Sequence, residues 1–149
     1  MFGLDADQPS LFRETLAFVE RVKLSVAQFA VLTPFPGTPV FDELKQEGRI
    51  TSFDWSLYTM GNVVYQPRKM TADELLAGRV YAYQRFYSLP SIAHRMLVRR
   101  GGRGRGLLRT AVNLSYRRRL RGGKITDTLP GERATVPAPR QAAEPIGAP

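Results

Sequence analysis

An α/β fold built from parallel strand–helix units is what this 149-residue sequence predicts. Two observations lead to it. Apolar β-prone stretches alternate with helical ones early in the chain, in the order strand, helix, strand, helix. The second strand also runs into Thr33-Pro34-Phe35-Pro36-Gly37-Thr38-Pro39, where three prolines and a glycine forbid continuing either element. Such a stiff strand-to-helix turn is a common place for a ligand to meet the end of a parallel sheet.

Met1-Phe2-Gly3-Leu4 reads as the end of a strand and Asp5-Ala6-Asp7 as its exit loop. So short an N-terminal strand suggests a chain that begins inside a larger unit. Asp7 or Gln8 is expected to cap a helix with Pro9 in its first turn. Leu11, Phe12, Leu16, Val19 and Val22 form its apolar stripe. Ser25 to Leu32 is the next strand, and Thr38 and Pro39 open the next helix, which Gly48 stops. Residues 49–66 read as a loop with a short extended piece, folding back through Trp55, Leu57, Tyr58, Met60 and Val63-Val64-Tyr65. Thr71 with Glu74 is a capping box. The helix it opens carries Leu75, Leu76, Val80, Tyr83, Phe86 and Tyr87 as far as Pro90, and Ser91 restarts a helix to Val98. Gly101 to Gly106 reads as a flexible basic linker. Leu107 to Leu120 is an amphipathic helix with Leu107, Leu108, Ala111 and Leu114 on one side and arginines at its end. The rest, rich in Pro, Gly and Ala, is expected to be disordered.

Charge is concentrated in one segment. Residues 1–94 carry 9 basic and 10 acidic side chains, residues 95–124 carry 11 basic and none acidic, and residues 125–149 carry 2 and 3. The chain has no cysteine, so it cannot itself supply a disulfide, a thiolate zinc site or a cysteine-held iron–sulfur cluster. It has one histidine, His94, expected to be a surface or packing residue rather than a base. No metal site and no catalytic residue is expected. The lack of a long apolar run or a leader pattern leads to the expectation of a cytoplasmic protein.

Several stretches together resemble the C-terminal end of radical S-adenosylmethionine (SAM) enzymes of the B12-binding type. They are Phe2-Gly3-Leu4-Asp5-Ala6-Asp7, Leu32-Thr33-Pro34-Phe35-Pro36-Gly37-Thr38-Pro39, the helix into Lys45-Gln46-Glu47-Gly48-Arg49-Ile50, Asp54-Trp55-Ser56-Leu57-Tyr58 and Met70-Thr71-Ala72-Asp73-Glu74-Leu75. The resemblance covers about residues 1–98. It implies the C-terminal fragment of a partial (β/α)6 barrel, with Met1–Leu4 ending the fifth strand and Ser25–Leu32 as the sixth. On that basis residues 1–66 are the last barrel strands and helices, 67–99 a helical extension, 100–124 a basic linker and helix, and 125–149 a tail. The resemblance places Gly3 and the backbone of Leu32, Thr33 and Pro34 against the adenine and ribose of SAM. The family's cofactors are SAM, a [4Fe–4S] cluster held by Cys-x3-Cys-x2-Cys, and cobalamin where the parent carries that domain. The cluster motif is missing, so this chain alone is expected to bind none of them and to be inactive. It would be a separated reading frame, a truncated gene or a product of a misplaced start, and its partner a chain carrying the missing N-terminal barrel half.

Plainer readings stand beside these. Thr33–Pro39 is also a well-capped helix start, and Asp5 and Asp7 are expected to cap the next helix. The aromatic run Tyr81, Tyr83, Phe86, Tyr87 reads as helix packing with hydroxyls at the rim rather than a base-stacking platform. Residues 95–124 are either a solvated tail or an attachment to phosphates, a membrane surface fitting better than nucleic acid. In that alternative the chain is a small basic binding protein, peripheral to a membrane; a non-functional remnant is the third reading.

Overall fold

The computed structural model describes residues 1–98 and 103–121 of the chain, with side chains over 1–95 and 108–120. Five helices run through it: α1 (Leu11–Arg21), α2 (Pro39–Gln46), α3 (Ala72–Phe86), α4 (Leu89–Val98) and α5 (Arg103–Arg121), with a single 3-10 turn at Trp55–Leu57. The expected disordered tail, residues 125–149, lies outside the described residues, as do Gly101 and Gly102 of the expected linker.

The helices begin and end where local chemistry dictates, with three differences from the sequence reading, at the starts of α1, α4 and α5. Thr38 caps α2 by accepting from the Phe41 amide, and Pro39 takes the first position. Gly48 (φ 67°) then closes α2: its amide donates to the Lys45 carbonyl and that of Arg49 to Leu44. Thr71 and Glu74 form the complete capping box of α3. Ser10, not Asp7 or Gln8, stands at the start of α1 and makes no side-chain cap, and Pro9 precedes the helix. Asp7 is used elsewhere: its Oδ2 accepts from the amides of Gly3 and Leu4, each at 2.9 Å. Pro90 lies inside the first turn of α4, which starts at Leu89 and needs no restart at Ser91. Arg103 to Gly106, assigned to the linker, are helical and belong to α5.

β-pairing among the described residues consists of two isolated bridges, Phe2 with Val31 in parallel and Ile50 with Tyr65 in antiparallel sense. The Phe2 amide donates to the Ala30 carbonyl and the Leu32 amide to the Phe2 carbonyl, both at 2.8 Å. The backbone groups of Ala27, Phe29 and Val31 point the other way, because they alternate along an extended chain. Among the described residues no strand meets them there. The Tyr87 hydroxyl donates to the Ala27 carbonyl (2.8 Å), the Phe29 amide donates to the Tyr83 hydroxyl (3.0 Å), Arg79 Nε donates to the Phe29 carbonyl (2.8 Å), and the Val31 amide donates to the Met60 carbonyl. Side chains of α3 and its end thus occupy the ladder positions. That is why residues 25–32 form an extended segment with one bridge rather than a strand in a ladder. It also corrects the expectation that the tyrosine hydroxyls sit at a wet rim: Tyr83 and Tyr87 are buried and their hydroxyls bond backbone.

The core gathers Phe2, Phe12, Leu16, Val19, Phe29, Val31, Leu75, Tyr83, Phe86 and Tyr87 around this segment. Phe12, Leu16 and Val19 are the buried part of the α1 stripe, whereas Val22 is 45% exposed. The rings interlock edge to face, Phe2 on Phe12 at 4.8 Å and Phe29 on Tyr83 at 5.1 Å. Each buried ring or aliphatic side chain contributes roughly 1.5–3 kcal/mol over its exposed state. A satellite of Phe41, Tyr58 and Val64 lies under α2 and is joined to the core through Ile50. Tyr116 and Leu120 of α5 pack on the main core, so the core draws on side chains from residue 2 to residue 120.

Candidate functional site

The parallel pairing of Phe2 with Val31 sets two chain exits side by side, Gly3–Asp7 and Thr33–Pro39. At the second exit, Thr33 Oγ1 donates to the Thr59 carbonyl at 3.1 Å, Pro34 is fully buried, and Phe35 is half exposed. Thr38 Oγ1 donates to the Phe35 carbonyl at 2.7 Å and closes the loop around Gly37 (φ 80°). Among the described residues no hydrogen bond reaches the carbonyls of Leu32, Thr33 or Pro34, so the turn carries acceptors without partners.

At the first exit, Gly3 is buried with φ 98°, and a Cβ there would lie 2.2 Å from the Tyr65 hydroxyl. That hydroxyl donates to the Gly3 carbonyl at 2.5 Å. Burial pushes the Tyr65 phenol well above its ordinary pKa, so it stays a donor. Both Gly3 backbone groups are therefore taken internally, the amide by Asp7 and the carbonyl by Tyr65. Of the four residues assigned to the SAM edge, Leu32 and Gly3 are brought together through Phe2, Thr33 follows with its hydroxyl engaged, and Pro34 offers only backbone.

Asp5 is not a helix cap. It accepts from Arg49 Nη2 at 2.7 Å and from Arg68 Nε at 2.5 Å, and both arginines also bond Glu47. The hydrogen bond from Arg49, helped by Arg68, holds the Asp5 carboxyl at about 2. This four-membered ion cluster ties the Asp5 loop to the end of α2 and to the chain beyond Tyr65. Its two cations and two anions balance, so it offers no net charge to a ligand.

An aromatic face adjoins the first turn of α2. Trp55 lies 6.2 Å from Phe41, 4.9 Å from Tyr58 and 6.4 Å from Phe53. Tyr58 is buried and its hydroxyl donates to the Ser52 carbonyl, but Trp55 and Phe53 are each 55% exposed. Trp55 and Met60, expected to fold back on the body, instead face outward. The 3-10 turn is responsible: Asp54 Oδ1 accepts from the Ser56 amide and hydroxyl and turns the indole away from the core. Phe53 was missed from sequence; its one signal was an aromatic set two residues from Trp55 in an otherwise polar stretch. His94 is exposed, and no group of three metal-ligating side chains exists among the described residues.

The chain is similar to two named enzymes. It is 33% identical over 96 residues to bacteriochlorophyllide d C-12(1)-methyltransferase of Chlorobaculum tepidum, a match covering 64% of this chain and 21% of that protein. It is 32% identical over 92 residues to the anaerobic magnesium-protoporphyrin IX monomethyl ester cyclase of Cereibacter sphaeroides, covering 62% of this chain and 15% of that one. An uncharacterized methyltransferase of Pyrococcus horikoshii is 25% identical over 97 residues, which are 60% of this chain and 21% of that protein. The chain thus spans about a fifth or less of the length of these relatives. No family model and no solved structure matches it.

Proposed function

We propose that this chain is the C-terminal part of a radical SAM enzyme of the B12-binding type, supplying one wall of the SAM and substrate site but not the cluster. The observation that carries this is the parallel register of Phe2 and Val31, which sets the Thr33–Pro39 turn beside the Gly3 exit at one edge. The similarity to a methyltransferase and a cyclase supports it. The far side of residues 27–31, closed by Tyr83, Tyr87, Arg79 and Met60, suits a last strand with no further neighbour.

The residues fit the cofactors unequally. The unpartnered carbonyls of Leu32, Thr33 and Pro34 are acceptors of the kind an adenine amino group needs, and that role requires no side-chain acid or base. Gly3 fits differently: its missing Cβ is filled by the Tyr65 hydroxyl, so it shapes the edge and holds it. A [4Fe–4S] cluster does not fit, because the chain has no thiol to hold it. Radical chemistry is therefore assigned to the complete enzyme, and the partner to a chain or segment bearing the first barrel strands and the cysteines.

The substrate is proposed to be a flat tetrapyrrole, since two relatives are named for bacteriochlorophyllide d and magnesium-protoporphyrin IX monomethyl ester. The exposed rings of Phe53 and Trp55 give such a macrocycle a surface to stack on. Trp55 is the only tryptophan, so its fluorescence reports that surface directly. Co-expression with a chain carrying the missing strands and Cys-x3-Cys-x2-Cys should give a complex on gel filtration that binds SAM. Magnesium-protoporphyrin IX monomethyl ester should quench Trp55 in that complex. A pair that never associates overturns the proposed function, and a complex that leaves Trp55 unquenched overturns the substrate class.

A further inference from the structure

The orientation of α5 is locked by polar and aromatic contacts on one side. Asn113 is fully buried: its Nδ2 donates to the Ser25 carbonyl at 3.1 Å and to the Arg109 carbonyl at 2.8 Å, and its Oδ1 accepts from Arg95 Nη2 at 2.8 Å. One turn on, the Tyr116 ring stacks on Tyr87 at 4.9 Å, and Arg117 Nη1 donates to the Tyr87 carbonyl. Residues 113, 116, 117 and 120 share a face, so that face is the inner one.

The apolar stripe through Leu108, Ala111 and Leu114 is consequently turned outward. Leu108 is 68% and Leu114 41% exposed, Ala111 is exposed between them, and exposed Arg118 lies one turn past Leu114. An exposed leucine row beside a cation, in a 30-residue segment with no acidic side chain and eleven basic ones, of which Arg95 is buried, is matched by an anionic surface that also accepts hydrocarbon. We propose that the outer face of α5 seats this protein on an anionic lipid bilayer, with Leu108, Ala111 and Leu114 at the acyl boundary and Arg118 among the headgroup phosphates. The long arginine stem lies along the apolar row while its guanidinium stays wet. Nucleic acid would use the arginines but has no use for the leucine row. Ser25 begins the extended segment that ends at Thr33, roughly 25 Å away at the rise of an extended chain. Docking through α5 therefore leaves the Thr33–Pro39 turn unobstructed.

Vesicle flotation of the full chain tests this. Binding is expected to vesicles of phosphatidylcholine and phosphatidylglycerol in equal parts, not to phosphatidylcholine alone, and to weaken at high salt. Leu108→Gln with Leu114→Gln, both exposed and so leaving the melting curve unchanged, should reduce vesicle affinity by roughly tenfold or more. Arg118→Gln should reduce it by about fivefold. Absence of flotation overturns the proposal, as does binding that survives the double leucine change. So does retention of duplex DNA in place of vesicles, or a leucine row that on sedimentation proves to join two copies of the chain.

Discussion

Gly78 lies inside α3, where alanine is ordinarily the better residue by about 1 kcal/mol. Here a Cβ would fall 2.1 Å from Phe12 Cε2, and Phe12 is wedged against Phe2 in the core. Overpacking of this kind costs about 1–3 kcal/mol, which outweighs the propensity gain. Gly78→Ala is therefore expected to lower stability in a urea melt, the reverse of what helix propensity alone predicts. Tyr65→Phe keeps the ring but strands the buried Gly3 carbonyl, an expected loss of about 1–3 kcal/mol on the same measurement. Asp5 carries a pH dependence whose sign follows from its lowered pKa. The carboxylate contributes stability above its unfolded value near 3.8, and that contribution disappears as pH falls toward about 2. Because its side chain is 42% exposed, solvent screening reduces the effect to about 1 kcal/mol. A melt series from pH 5 to pH 2 should show this loss, and Asp5→Asn should flatten that part of the curve. The pairing of Asp5 with Arg49 was not legible in the sequence, because 44 residues separate them and only the closing turn at Gly48 aims Arg49 across.

Helix α3 does work that its amphipathic pattern does not reveal. Its apolar stripe and its Thr71–Glu74 capping box were readable, since both depend on neighbours within one or two turns. Its use of Arg79 and Tyr83, with Tyr87 at its end, as substitutes for a neighbouring strand was not, since those bonds span 50 to 60 residues. Helix α5 shows the same division more sharply. Its amphipathic body and basic end were legible, though not its first turn at Arg103 to Gly106, and an amphipathic helix has two candidate inner faces when small, polar and apolar residues share both. Asn113 decides between them, because burying its amide is favourable only where Ser25, Arg109 and Arg95 supply partners. Asn113→Leu keeps the apolar contact and removes those bonds. It should speed hydrogen exchange across 108–120 by tenfold or more, in keeping with about 1.5–3 kcal/mol for bonds to a charged group, while leaving exchange in α1 unchanged. The same change should expose Arg95, now buried over the Phe86 ring at 3.6 Å. Arg95 belongs to the basic segment 95–124, but its burial, which lowers its pKa, removes it from the cations available for attachment.

At the scale of the whole molecule, a nearly neutral body bears a cationic helix, and the two are joined at the end of the extended segment opposite the proline-rich turn. Mixing this chain with one carrying the missing barrel strands should raise its melting temperature, because the exposed aromatic face of Phe53 and Trp55 gains apolar cover. An unchanged melting temperature would argue that the chain already has all the neighbours its surface calls for. By itself, the sequence determined that helices follow Pro9, Thr38 and Thr71, the caps of the latter two, the stiffness of Thr33–Pro39, the concentration of charge in residues 95–124 and the inability to hold a cysteine-bound cluster. These follow from composition and from contacts a few residues apart. Only the tertiary structure decided which groups complete the hydrogen bonds of residues 27–31, that Gly3 makes room for Tyr65, that Trp55 faces outward, and which side of α5 is wet. Each of those depends on polar groups finding partners dozens of residues away, and a local pattern carries no record of such a meeting.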